Sequence, residues 1–485
     1  MAKQRKKRKG PFTDFLKSGR GKGKSEAQDR GKTRSKKNLH SLLAYWFQPK
    51  PEDYKASLNL ENASIAFPSL VTSRDSKVFR LTAVLTDKIK PDLLQQALDQ
   101  TYRHFPLYQT VIRRGFFWYF FEESKLQPRV QKEQESPCLP IYHYDHKHLL
   151  FKVLYYEKNI HLEVFHALSD GTGAFWFFQL LVSNYVFLAY PEAAKHISLK
   201  DADRLPQHDP KEQLADSFAD YFKKKRDKQK SPGRLTNASA DFKRVLKIKG
   251  QRAEDLRMQI IQAEMPVRPL LDWAKSLGVT LSVLLTSLWI EAISKSSQKS
   301  DFAVVISVPM NLRQHYPSST ARNFFATSHI GHQFGQGRDS FDEICQDVAR
   351  QYKEAINKDS IEIKLRTLVK IEQNVAIRPI PRPIKDLILK FFNYRLSRKI
   401  SSAISNMGVV HFPAPVSERI DHLYIYPAAA RPQFTCITHK GELTITFSSP
   451  FMGKAIQRNF LRRITDRQIP VTIGLNEVNP DQEED

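Results

Sequence analysis

The sequence predicts a mixed α/β protein built as two similar lobes, and three observations predict it. Short apolar runs alternate with helical stretches from about residue 39. A strongly charged segment interrupts this texture near the middle, and the same rhythm then resumes to about residue 476. At 485 residues and 56.1 kDa the chain exceeds the usual size of one core. With 41% hydrophobic and 11% aromatic residues, it cannot be disordered as a whole.

These features divide the chain into a basic tail (1–38), a first lobe (39–205), a charged linker (206–251), a second lobe (252–476) and an acidic terminus (477–485). In the first lobe, "KPDLLQQALDQTYRHF" places Leu93, Leu94, Ala97 and Tyr102 at helical spacing. Strands are expected over 77–85, 115–121, 148–156 and 160–168, the last two joined by the polar turn Glu157-Lys158-Asn159. The linker carries a helix over "KEQLADSFADYFKKK" and a break at Pro232-Gly233. The second lobe reads as helices at about 266–277, 280–296, 340–357 and 383–398, with strands at "FAVVISVPM" and near 404–412, 422–427, 433–439 and 442–448.

The net charge of +25 suggests a nucleic-acid binder until it is located on the chain. Residues 1–37 hold 15 Lys/Arg against Asp14, Glu26 and Asp29, so the tail alone carries +12. It reads as a solvated arm or as an attachment to an anionic membrane surface, and its Phe12, Phe15 and Leu16 favour the membrane over nucleic acid. "SGRGKGKS" (Ser18–Ser25) approaches a phosphate-binding loop, but Ser18 stands at the first glycine position and no apolar strand precedes it.

Cys138, Cys345 and Cys436 are far apart, which argues against a disulfide framework or a zinc site and fits a reducing cytoplasm. No apolar segment follows the charged amino terminus, so a secretory signal is not expected; the expected location is cytoplasmic, with the tail able to hold the chain at the inner face of the membrane. Gly173–Tyr190 approaches the length of a membrane span, but Gln179, Ser183 and Asn184 interrupt it and a buried helix is the better reading. His143, Asp145, His146 and His148 have spacing a metal could use, yet they read as a polar connection before a strand, and no metal is expected. GxSxG, HExxH and a strand-linked GxGxxG are missing, against hydrolase, zinc-protease and dinucleotide readings.

The chemistry concentrates in "HLEVFHALSDGTGAFWFFQLL", where an apolar strand ends in His166-x-x-x-Asp170-Gly171 and runs into an apolar helix. Gly171 and Gly173 permit backbone conformations and close approaches that side chains obstruct. A neutral imidazole so placed can take a proton from a hydroxyl or amine attacking an acyl carbonyl. Further along, "ISVPMNLRQHYPSSTARNFFATSHIGH" couples a buried strand to Arg313, and "ISNMGVV" places Asn406 and Gly408 in a strand-like run.

These three motifs, in this order, resemble the HxxxDG superfamily of CoA-dependent acyltransferases with the chloramphenicol acetyltransferase and condensation-domain fold. "HALSDGTGA", "VPMNLRQHYPSSTARNFF" and "SNMG" are most similar to the bacterial alcohol acetyltransferase group. The similarity covers about Leu39 to Asn476. It implies two acetyltransferase-like lobes forming a pseudo-dimer, with His166 as general base facing a tunnel between them. It further implies that Asp170 points away from substrate and pairs with Arg313 of the other lobe. The co-substrate would be acyl-CoA, with an alcohol acceptor and no tightly bound cofactor. Thr327, Ser328, Ser405 and Asn406 are candidates for the oxyanion site or tunnel wall, and the Gly171 N–H is another.

The DFGWG motif of plant-type relatives is absent, and Phe165-His166 replaces the doubled histidine usual in condensation domains. The expected activity is therefore transfer of an acetyl or longer acyl group from acyl-CoA to an alcohol. The alternatives are condensation on acyl carrier protein thioesters, or a non-catalytic member of the fold that binds membranes or polyanions.

Overall fold

A computed structural model describes residues 58–475, apart from 60–63, 65, 196, 199–200, 202–204, 207–208, 224–241, 243, 300 and 374–379. The basic tail, with Ser18–Ser25, and the acidic terminus lie outside the described residues.

The strands run β1 (Leu58–Asn59), β2 (Val78–Leu85), β3 (Thr110–Arg114), β4 (Tyr119–Glu123), β5 (Val130–Lys132), β6 (Phe151–Tyr156), β7 (Asn159–Phe165), β8 (Gln259–Pro266), β9 (Phe302–Asn311), β10 (Phe325–Phe334), β11 (Ser402–Val409), β12 (Ile420–Pro427), β13 (Gln433–His439), β14 (Glu442–Ser449) and β15 (Thr472–Leu475). The main helices are α1 (Phe67–Leu70), α2 (Pro91–His104), α3 (Gly171–Ala189), α4 (Val267–Ser276), α5 (Leu281–Lys295), α6 (Phe341–Ile356), α7 (Lys358–Gln373), α8 (Arg382–Ser397) and α9 (Ala455–Thr465). They form the expected two sheet-rich halves. A five-stranded sheet, β12-β2-β7-β6-β5, centres the first lobe and a seven-stranded sheet, β10-β9-β11-β13-β14-β8-β15, the second.

Helix α2 follows directly from its sequence. Pro91 opens it, where a missing N–H costs nothing, and Leu94, Ala97, Leu98, Thr101 and Tyr102 bury one face. Helix α3 is the near-span of the sequence. It is long and apolar enough to cross a membrane, but 78% of its apolar window is buried inside the protein. Its polar residues are spent in the core: Gln179 donates to the His411 carbonyl (2.6 Å), Ser183 to the Gln179 carbonyl (2.7 Å) and Asn184 to Thr101 Oγ1 (3.0 Å). Each bond offsets the cost of burying that group.

Several elements depart from the sequence expectation. Residues 115–121 are not one strand, because Gly115 N–H donates to the Trp118 carbonyl (2.8 Å) and folds a hairpin between β3 and β4. The linker helix is broken into Pro210–Gln213 and a π-helical turn, Ala219–Lys223. Ala321 N–H takes the Gln213 carbonyl at 3.0 Å, and the Thr320 hydroxyl takes those of Gln213 and Ala215, so these carbonyls serve the second lobe instead of a helix. Phe218 and Phe222 then join Leu312, Tyr316, Phe324, Ile361 and Leu365 in a separate small core. This part of the linker is packed.

Strand β12 is expected within the second lobe but crosses to the first, where it runs antiparallel to β2 with Leu81 opposite Ile425. The strands flanking it in sequence, β11 and β13, pair with each other in the seven-stranded sheet. β12 thereby covers the β2 edge of the first sheet, and Tyr424 donates from it to Glu264 Oε1 of β8 (2.8 Å).

Candidate active site

The antiparallel pair β2–β7 ends with His166 N–H donating to the Lys77 carbonyl (2.8 Å), so His166 is the first residue past β7. Its imidazole is partly buried among aromatic rings. Phe67 of α1 stacks on it at 4.6 Å, Phe79 of β2 meets it edge-on at 5.2 Å, and Phe325 of β10 lies at 5.6 Å. Burial lowers its pKa below the ordinary histidine value, opposed by a hydrogen bond to its own carbonyl, by Asp170 and by Asn323. Burial thus favours the neutral ring.

Asn323 sets the tautomer. Its Nδ2 is 2.8 Å from Ser64 Oγ, 2.8 Å from the His166 carbonyl and 3.2 Å from the Ala167 carbonyl. Carbonyls only accept, so the amide nitrogen faces them and Oδ1 faces His166 Nδ1 at 3.2 Å. Nδ1 therefore carries the proton, and the lone pair is on Nε2. The sequence reading missed Asn323, although it stands in "STARNFF", two residues before a strand on the face that meets His166.

Asp170 and Arg313 come together across the lobes. Arg313 Nη1 is 2.7 Å from Asp170 Oδ2, and both side chains are 7% exposed. Asp170 is fully used: Oδ1 caps α3 through Gly173 N–H (2.9 Å), and Oδ2 also accepts from Phe324 N–H (2.8 Å). Arg313 donates further to the carbonyls of Thr320 (2.8 Å) and Arg322 (2.7 Å). This pair ties the start of α3 to the loop between β9 and β10.

The two glycines sit in the first turn of α3, where their backbone is helical, so the strained conformation suggested by the sequence is not needed. Space is what they supply. A Cβ on Gly173 would lie 2.2 Å from the Ala321 carbonyl oxygen, and one on Gly171 2.8 Å from Met407 Sδ.

The oxyanion candidates separate by strand parity. Thr327 is exposed and shares the face of β10 with Phe325, toward His166. Ser328 is on the opposite face, buried, and accepts from Lys364 Nζ (3.1 Å). On β11, Ser405 shares its face with Met407, which meets Gly171. Asn406 points the other way: its Nδ2 bonds Ser282 Oγ (3.1 Å) and its Oδ1 accepts Gly408 N–H (2.8 Å). Thr327 thus shares the strand face of Phe325, which reaches His166, whereas Ser328 and Asn406 are engaged with Lys364 and Ser282. A cavity of about 360 Å³ lies elsewhere, lined by His411, Phe412, Ser417 and His439, and contains none of these residues. Among the described residues, no group of three or more His, Cys, Asp or Glu could hold a metal.

No protein-family model matches the chain, and no curated protein matches it in sequence. Solved structures do match. The polyketide synthase associated protein 5 of Mycobacterium tuberculosis aligns over 86% of this chain and 98% of its own, at 12% identity and a TM-score of 0.55. The chain has the acetyltransferase and condensation-domain fold. TRI3 trichothecene 15-O-acetyltransferase of Fusarium sporotrichioides shares it over 86% of this chain and 96% of its own, at 9% identity and a TM-score of 0.55. A starter condensation domain of rhizomide synthetase RzmA, solved with C8-CoA, aligns over 84% of this chain and 94% of its own, at 12% identity and a TM-score of 0.52.

Proposed function

We propose that this chain is an O-acyltransferase that moves an acyl group from acyl-CoA to an alcohol, of the alcohol acetyltransferase kind, with His166 as general base. The observation that carries this reading is the fixed tautomer: Asn323 holds Nδ1–H, leaving Nε2 as a neutral base at the end of β7. The likeness to an O-acetyltransferase and to a condensation domain holding an acyl-CoA supports the reaction class.

In the proposed step, Nε2 takes the hydroxyl proton of the acceptor as its oxygen attacks the thioester carbonyl. The tetrahedral intermediate carries its negative charge on the former carbonyl oxygen, for which the Thr327 and Ser405 hydroxyls are the proposed donors. Collapse reforms the carbonyl, breaks the carbon–sulfur bond and returns the proton from the imidazolium to the leaving thiolate. No protein acyl intermediate and no bound cofactor is required. Asp170 and Arg313 hold the turn and take no proton.

The test is thiol release from acetyl-CoA and longer acyl-CoAs with a panel of alcohols, run in parallel with acyl carrier protein thioesters. Acceptor-dependent release with CoA donors supports the proposal. Release with carrier-bound donors alone replaces CoA by a carrier protein, and no release from any donor with folded protein refutes acyl transfer.

A further inference from the structure

Helix α8 carries its apolar side outward. On a wheel of 100° per residue, Tyr394, Leu387, Phe391, Ile384, Ile388 and Phe392 fall within an arc of about 160° that also takes in Arg395 at its carboxyl end, with Lys390, Asn393 and Asp386 opposite. Such an arc ordinarily faces a core. Here Leu387 is 69% exposed, Phe391 and Phe392 58% each, and Tyr394 59%.

The outward pose is held by the helix's first turns. Arg382 N–H donates to the Phe116 carbonyl (3.0 Å), Lys385 Nζ lies 3.5 Å from the centre of the Trp118 ring, and Tyr119 donates to Asp386 (2.8 Å). This clamp sets α8 beside the β3–β4 hairpin tip, where Phe116 is 71% exposed and Phe117 42%.

We propose that α8 and the 115–118 hairpin form a docking surface for an anionic lipid bilayer. The charge around this face selects that occupant. Residues 382–399 carry Arg382, Lys385, Lys390, Arg395, Arg398 and Lys399 against Asp386 alone. Lys390, Arg395, Arg398 and Lys399 are exposed, Arg395 within the carboxyl end of the apolar arc and Arg398 and Lys399 just beyond the helix. Aromatic and aliphatic side chains beside Lys/Arg are the composition of helices that lie in the headgroup layer. Each basic residue near such a surface adds to the attraction. A second copy is disfavoured, since two faces of this sign repel. α8 also packs against α1, which carries the Phe67 stacked on His166, so the helix is joined to the candidate site through its inner side. The inference does not rest on the acyl-transfer reading.

The test is flotation of the full chain with vesicles of phosphatidylcholine alone or with roughly 30% phosphatidylglycerol. Runs at ~0.5 M salt screen purely electrostatic attachment, including that of the basic tail. The wild type should float with the anionic vesicles and stay bound at high salt. The doubly substituted Phe391→Asp, Phe392→Asp protein should lose roughly tenfold or more of its bound fraction there, with an unchanged melting temperature. The Lys390→Glu, Arg395→Glu, Arg398→Glu protein should lose its preference for the anionic vesicles. Equal flotation of wild type and the Phe variant, or no flotation of the wild type, overturns the proposal. So does a wild-type dimer in vesicle-free solution that the Phe variant converts to monomer.

Discussion

Asn323 contacts both ends of one residue: its Oδ1 meets His166 Nδ1 at 3.2 Å while its Nδ2 donates to the His166 carbonyl at 2.8 Å. A carboxamide used in both directions fixes ring orientation and tautomer together. Asn323→Asp would keep the shape but put a carboxylate beside Nδ1, raising the pKa of His166. The expected result is an acid limb of kcat/KM moved to higher pH. Asn323→Ala should lower kcat by roughly 10–100-fold without that move. An unshifted profile in the Asp variant would leave Asn323 a structural role only.

His166→Ala is expected to keep the fold and to lower turnover about 10²–10⁴-fold, as measured by acceptor-dependent thiol release and by melting temperature. Because burial holds the imidazole pKa below its ordinary value, the midpoint of the acid limb of the wild-type rate should lie below pH 6.5.

Asp170→Ala and Arg313→Ala should be damaging in a different currency. Each leaves a buried charge without its partner, at a cost of about 3–5 kcal/mol. Thermal denaturation should show a large drop for both, and normal melting in both would refute a structural role for the pair. Gly173→Ala should be as harmful, since its Cβ meets a backbone oxygen at 2.2 Å and not a movable side chain.

A buried charge cluster in the first lobe predicts how stability falls in acid. Arg80 bonds Glu163 (2.8 Å) and pairs with Glu133, which lies 3.2 Å from His161 Nε2. Burial alone lifts the Glu133 carboxyl, but the His161 hydrogen bond and the His161 and Arg80 charges outweigh it and bring the pKa down to about 2. Burial also keeps the His161 pKa low, so at neutral pH Arg80 is the partner that carries charge. A depressed carboxyl contributes stability that is complete above its unfolded value of 4.5 and is lost as pH falls toward 2. Melting temperature should decline through that window, and Glu133→Gln should flatten the decline while lowering stability at pH 7.

Periodicity sufficed where one face of an element met the core: α2, β2 and β9 appear within a residue or so of expectation. It failed where partners remote in sequence decide. The helix expected to run on past Gln213 stops there because Thr320 and Ala321 claim its carbonyl, and β12 looks like second-lobe sequence until β2 offers it an edge. For the site, local spacing brought His166, Asp170 and the glycines into view, and the resemblance brought in Arg313. Asn323 lies inside the quoted "SSTARNFF" run, but it and Phe67 approach His166 only through the fold, and no local spacing pairs either with that histidine. Ser328 and Asn406 show the limit of choosing polar residues without their facing: one residue of parity turns each away.

The path of β12 has a consequence for synthesis. As the chain leaves the ribosome, β2 and β7 emerge early, but the strand that covers the outer edge of β2 arrives only after most of the second lobe has been made. The first sheet must wait with that edge open, which makes the nascent chain a natural client for chaperones. Its amino-terminal half expressed alone should precipitate, and co-expression of the second half as a separate polypeptide should rescue it by supplying the missing strand in trans.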